Sequence, residues 1–290
     1  IFNRNVLYAR NVQSSGYTKV IRSDTPSGDV NAASVQEFVS HAPLNLFGGS
    51  KASLNLPIKP EPAEVWENDP SQCLWADDYG ITWGDWGHDT AAFQAAFDAA
   101  AAQGKTVVAI RGVPPGDPNW YVVNGTVQVK APVRLVTGIG WGRIVGNGKF
   151  VVNDASAPTV VFRQIDAFGG PPVTLENAGT RTMVADSCGV NVLGTGRGDI
   201  FMTNCPANVT LQNPLQSLWA RQHNPEGFSE TGLNVNDGGR LWALGIKSEG
   251  RGVRYRTVNG GATELLGFFN SSTAVIFNDH WPMMHVDNAL

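Results

Sequence analysis

The stretch Asp89-Thr-Ala-Ala-Phe-Gln-Ala-Ala-Phe-Asp-Ala-Ala-Ala-Ala-Gln-Gly104, followed at once by Lys105-Thr-Val-Val-Ala-Ile110, decides how the rest of the chain is read. Ala92, Phe93, Ala96, Phe97 and Ala100 recur at the i, i+3, i+4 spacing of one buried helical face. Asp89 or Thr90 is placed to cap the first amides, and Gly104 to end the last turn. No other segment reads as an amphipathic helix. Downstream of Gly104 the chain breaks into a series of short strands, so the expectation is one helix capping the end of a strand-built body.

The strand-like runs are 106–110, 120–123, 126–130, 133–137, 149–152 and 159–162, each bounded by Gly, Pro, Asn or Asp. With no helices to serve as crossovers, a sandwich and a solenoid remain. Internal echoes decide between them. Thr182-Met-Val-Ala-Asp-Ser-Cys188 returns as Asp199-Ile-Phe-Met-Thr-Asn-Cys205, 17 residues on. Asn-Val recurs at Asn191, Asn208 and Asn234, with offsets of 17 and 26. Leu218-Trp-Ala220 with Glu226-Gly227 returns as Leu241-Trp-Ala243 with Glu249-Gly250, 23 residues on. Unequal offsets suit coils whose loops vary while their strands stack, which predicts an all-β parallel β-helix.

Of 290 residues, 16% are charged and the net charge is −4, which supplies no basic field for nucleic acid or an anionic membrane. No apolar run is long enough to cross a bilayer. Gly (33) and Pro (17) are frequent, yet apolar residues still make up 42%, so a packed, turn-rich chain is expected rather than a disordered one. Cys73, Cys188 and Cys205 lack zinc-site spacing and are too few for a disulfide scaffold. Cys188 and Cys205 are expected on neighbouring coils, either as a free buried pair or as a disulfide. Residues 44–72, with Gly48, Gly49 and four prolines, read as a linker or wrapping arm. Residues 1–43 read as the end of a separate, first domain, and 73–290 as the main one.

Ala76-Asp-Asp-Tyr-Gly80 with the helix over 89–102 resembles the opening of pectate-lyase-like right-handed parallel β-helices. Leu241-Trp-Ala-Leu-Gly-Ile-Lys-Ser-Glu-Gly250 and Thr263-Glu-Leu-Leu-Gly267 are similar to late coils of bacterial tandem β-helix proteins of the glycoside hydrolase family 55 type. The resemblance implies a right-handed solenoid with 1–43 as the end of a first β-helix, most of it missing or supplied by a separate chain. It also implies an extracellular or periplasmic β-1,3-glucanase-like hydrolase that inverts configuration and needs no cofactor.

Glu226 and Glu249 are the candidate catalytic pair. On successive coils their backbones stack about 4.8 Å apart, where mutual repulsion raises one pKa towards that of a general acid, a part given to Glu249. The bland reading is a Glu-Gly turn used twice. Trp219 and Trp242 form a candidate platform for a sugar ring, with Arg221 and His223 at alternate positions on the same side; stacked core aromatics are the alternative. Asp77, Asp78, Asp85 and Asp89 match no calcium loop and are read as turn and cap residues, so no metal site is assigned. Arg251, Arg254 and Arg256 are candidates for a lyase base or a solvated face. His280 and His285 lack a third ligand and are read as a terminal coil. The expected partner is a polysaccharide or oligosaccharide, with a glucan hydrolase first, and a uronate lyase or a non-catalytic glycan-binding β-helix as alternatives.

Overall fold

The computed structural model describes residues 1–43, 52–85, 87–112, 120–229, 231–271 and 282–289. The chain divides into two compact units, Ile1–Ser53 and Leu54–Leu290. In the first, Tyr8–Gln13 pairs antiparallel with Ser34–Val39, and Phe2–Asn3 pairs parallel with Arg22–Ser23. Ala9, Val20, Ile21 and Phe38 close a small core. Gly48, Gly49 and Ser50 lie outside the described residues.

The second unit is built from two long parallel sheets, eleven-stranded and eight-stranded among the described residues. From Thr126 onward the chain visits them by turns. Thr126–Val129, Lys149–Val152, Thr174–Asn177 and Asn191–Gly194 enter the smaller sheet, while Leu135–Val145, Thr159–Asp166, Thr182–Asp186 and Ile200–Cys205 enter the larger. Among the described residues this mostly-β, parallel arrangement with a single α-helix is compatible with the expected all-β parallel solenoid. Each pass through both sheets leaves a row of side chains between them, such as Val108, Val136, Phe162, Ala185, Met202, Ala220 and Ala243 on the larger sheet. Val127, Phe150, Leu175, Val192 and Val209 form the facing row, and both belong to one buried cluster.

The sequence echoes fix most of the register. Met183 pairs with Ile200, Leu218 with Leu241, and Glu226 with Glu249. The third Asn-Val echo is out by one. Thr210 pairs with Val235, so Asn234 extends the inward row of Val209 rather than the outward position of Asn208. Fully buried there, Asn234 accepts the Val209 N–H and donates to the Arg254 carbonyl, both at 3.0 Å. Its polar cost is thereby met.

The helix spans Thr90–Gln103 and buries Phe93, Ala96, Phe97 and Ala100. Phe93 meets Tyr121 and Phe150 edge to face, with ring centroids 6.1 and 5.5 Å apart, against the first strands of the stack. Burying each phenylalanine contributes roughly 1.5–3 kcal/mol. Gly104 ends the helix at φ 68°, its N–H reaching the Ala100 and Ala101 carbonyls. The expected Asp89 cap is corrected: its carboxylate accepts N–H groups from Thr82 (2.9 Å) and Val122 (2.8 Å) and ties a loop and the strand Tyr121–Val122 to the helix start instead. Thr90 Oγ1 likewise accepts from Asn124 and Gly125 rather than from its own helix.

The proline-rich segment runs across the outer face of the larger sheet, against the order of the strands. The Pro57 carbonyl meets Trp219, and Lys59 pairs with Asp199. Glu61 accepts from Thr203, the Arg163 guanidinium lies 4.6 Å over the Trp66 ring, and Glu67 pairs with Arg134 at 2.7 Å. Leu56 and Val65 cover an outward apolar row of Val107, Leu135, Val161, Val184, Phe201, Trp219 and Trp242. A proline lacks the N–H that a sheet edge uses, so such a segment is suited to docking through side chains.

Candidate functional site

Gln164, Ser187, Asn204 and Gln222 all have φ between 52° and 55°, and Gly245 and Gly267 follow at 71° and 67°. The strand registers place these six residues side by side at one corner of successive passes. A left-handed residue interrupts the two-residue alternation of a strand. The side chain after it therefore turns inward, and Ile165, Cys188, Cys205, His223 and Ile246 form one buried row.

This corner corrects the reading of His223 as a partner of Arg221 on an outward strip. His223 is 1% exposed. Since a carbonyl only accepts, Nε2–H donates to Ala207 O at 2.8 Å, and Nδ1 accepts the Tyr255 hydroxyl at 2.9 Å. Burial pushes the imidazole pKa down to about 4, so the ring is neutral and structural. Arg221 does remain on the outer face, where it donates to the Lys59 carbonyl at 2.7 Å and lies 5.3 Å over the Trp242 ring.

Trp219 and Trp242 are register partners and face outward, as a platform requires, but both are buried. Trp219 stacks on Phe201 with centroids 5.1 Å apart and donates to Pro57 O at 2.8 Å. An open sugar platform is thus corrected to a floor beneath the proline-rich segment.

Glu226 and Glu249 do lie side by side. The sequence reading missed Lys247, whose ammonium stands between them, 2.8 Å from Glu226 and paired also with Glu249. Lys247 holds the Glu226 carboxyl below its ordinary range, helped by Asn224 at 2.8 Å, whereas repulsion between the glutamates alone would raise a pKa. The two glutamates and the lysine are each partly open to solvent.

Beside Glu226 a groove of about 230 Å³ crosses neighbouring passes, with Asp166, Asn191, Asn208 and Asn224 among its walls and Phe168 at its rim, 76% exposed. Gly189 lets the Asp166 carboxylate lie close to the backbone, since a Cβ there would stand 2.2 Å from Oδ1. Asp166 accepts the Ala167 N–H at 2.8 Å. Asn191 and Asn208 were visible as an Asn-Val echo, which signals repetition; Asp166 and Phe168 carried no sequence signal.

The remaining candidates fall elsewhere. Asp77 accepts the Tyr121 hydroxyl at 3.0 Å and the Arg111 N–H, Asp85 accepts the Gly87 N–H, and Asp89 is buried. Arg254 is wholly buried and donates to Gly227 O at 2.6 Å, which removes it as a solvent-facing lyase base. His285 lies on the strand Met284–Asp287, and His280 lies outside the described residues. Cys188 and Cys205 are free thiols, with the Cys188 N–H 3.4 Å from the Cys205 sulfur. No protein-family model matches the chain, and comparisons with curated proteins and with solved structures return no match.

Proposed function

We propose that the chain is a carbohydrate-active, pectate-lyase-like right-handed parallel β-helix of the extracellular space or periplasm, holding a neutral glycan in the groove beside Glu226. The observation that carries this reading is the groove's composition: three amides and two carboxylates gathered from neighbouring passes, with an exposed phenylalanine at the rim. Amides both donate and accept, which matches the paired hydroxyls of a sugar, and the C–H face of the sugar ring packs on an aromatic side chain. Two carboxylates in one small groove repel a polyuronate, which favours a β-glucan over a lyase substrate.

In the hydrolytic form of this reading Glu226 is the base that activates water, because an ionised carboxylate is what Lys247 maintains. Asp166 is the other carboxylate on the groove and the candidate proton donor. Glu249, paired with Lys247 and away from the groove lining, positions that lysine rather than acting as the acid. A second reading, a non-catalytic glycan-binding module, is favoured by the same lysine, which neutralises the pair first expected to do the chemistry.

Incubation with laminarin tests both. New reducing ends that fall by orders of magnitude in Glu226→Gln and Asp166→Asn support hydrolysis. Saturable binding without turnover, weakened by Asn208→Ala, supports the binding module. Absence of both binding and turnover across neutral glucans rejects the groove as a glycan site.

A further inference from the structure

A second cavity, of about 310 Å³, lies between the proline-rich segment and the outward tryptophan row. We propose that it is a binding site for a small apolar carboxylate, whose hydrocarbon part lies against Trp219, Trp242, Leu56 and Ile58 and whose carboxylate is received by the Trp242 indole N–H and the Arg240 guanidinium.

Two register-equivalent tryptophans with different hydrogen bonding point to it. The Trp219 N–H is satisfied by Pro57 O. Trp242 is 3% exposed, and its N–H has no acceptor among the described residues. A buried donor left unmade costs about 1–3 kcal/mol, and native structures rarely keep one without a use. The acceptor it lacks is supplied by an anion in the cavity that it lines.

The charges agree. No carboxylate lines the cavity, whereas Arg240 and Lys59 both do. Lys59 is already paired with Asp199. Arg240 has no ion pair among the described residues and is the cation left to meet a ligand. Glu264, the register partner of Trp242, is buried, has an interaction of its own and is not part of the lining. The other walls are Leu56, Pro57, Ile58, Leu218 and the two indoles, with Ser217 the one uncharged polar side chain, so an apolar body suits the cavity better than a sugar with hydroxyls on every edge. The site is separate from the groove beside Glu226 and does not depend on the glycan reading.

The test is a heteronuclear NMR titration of the indole N–H groups of the whole chain with hydrocinnamate and with its neutral amide. The expected result is a saturable downfield movement of the Trp242 N–H with the acid, little movement of Trp219, and weaker binding of the amide. Arg240→Gln, a surface change that leaves the core intact, should weaken the acid about tenfold and leave the amide unchanged, the loss of one charge-assisted hydrogen bond. An immobile Trp242 signal, equal affinity for acid and amide, or an Arg240→Gln protein that binds the acid normally would each overturn the assignment. So would a Trp242 shift caused by laminarin and not by hydrocinnamate.

Discussion

The Trp219 indole N–H donates to the carbonyl of Pro57, 162 residues earlier in the chain, at 2.8 Å. One hydrogen bond thereby clips the start of the proline-rich segment to a strand near one end of the larger sheet. Trp219→Phe keeps the stacking on Phe201 and deletes the donor. It should lower the urea midpoint by an amount worth about 1 kcal/mol with an unchanged slope, and speed proteolytic cleavage within residues 54–69. A wild-type midpoint and cleavage rate would show that the segment is held without this bond.

His223 makes stability depend on pH. Its folded pKa, pushed down to about 4 by burial, lies below the value near 6.5 of an unfolded histidine. Between those values the unfolded chain binds more protons. The contribution is therefore complete above about pH 6.5 and is lost as pH falls towards 4, by up to roughly 3 kcal/mol. His223→Leu should be less stable at neutral pH, because Tyr255 and Ala207 lose their partner, yet show a flatter decline between about pH 6.5 and 4.5. Parallel declines in urea unfolding of the two proteins would refute the assignment.

Lys247 is what keeps Glu226 ionised to low pH. In Lys247→Gln the Glu226 carboxyl should titrate at higher pH, back towards the ordinary glutamate range, as read by carboxyl-detected NMR. An unmoved Glu226 titration would mean that Asn224 alone sets its pKa.

The two stacked thiols should be inert in the folded chain. Burial pushes Cys205 up to about 12 and Cys188 well above its ordinary range, and the thiolate is the reactive form. Alkylation and mass measurement should show both labelled only after unfolding, with the same count before and after reductant. Labelling of either under native conditions, or a reductant-dependent count, would contradict the free buried pair.

Much of this architecture was legible in the sequence because stacking repeats local pattern. The helix was given by its single apolar face and Gly104, and the registers of Cys188 on Cys205, Trp219 on Trp242 and Glu226 on Glu249 by the echoes. Side-chain direction was not legible across Gln222, since glutamine does not advertise a left-handed backbone, and so His223 was assigned to the wrong side. Nor was the burial of the tryptophans. The segment that covers them comes from residues 54–69, and no local pattern links Pro57 to Trp219. Lys247 was overlooked because its significance is spatial: only when Glu226 and Glu249 are side by side does the lysine two residues before Glu249 reach both.

The left-handed column at Gln164, Ser187, Asn204, Gln222, Gly245 and Gly267 works as a frame marker. Each of these residues shifts the in–out alternation by one position at the same corner, so the side chains that follow, from Ile165 to Ile246, face the core in pass after pass. Loop length is thereby uncoupled from core identity, and neighbouring passes offset by 17 or 23 residues share one hydrophobic interior.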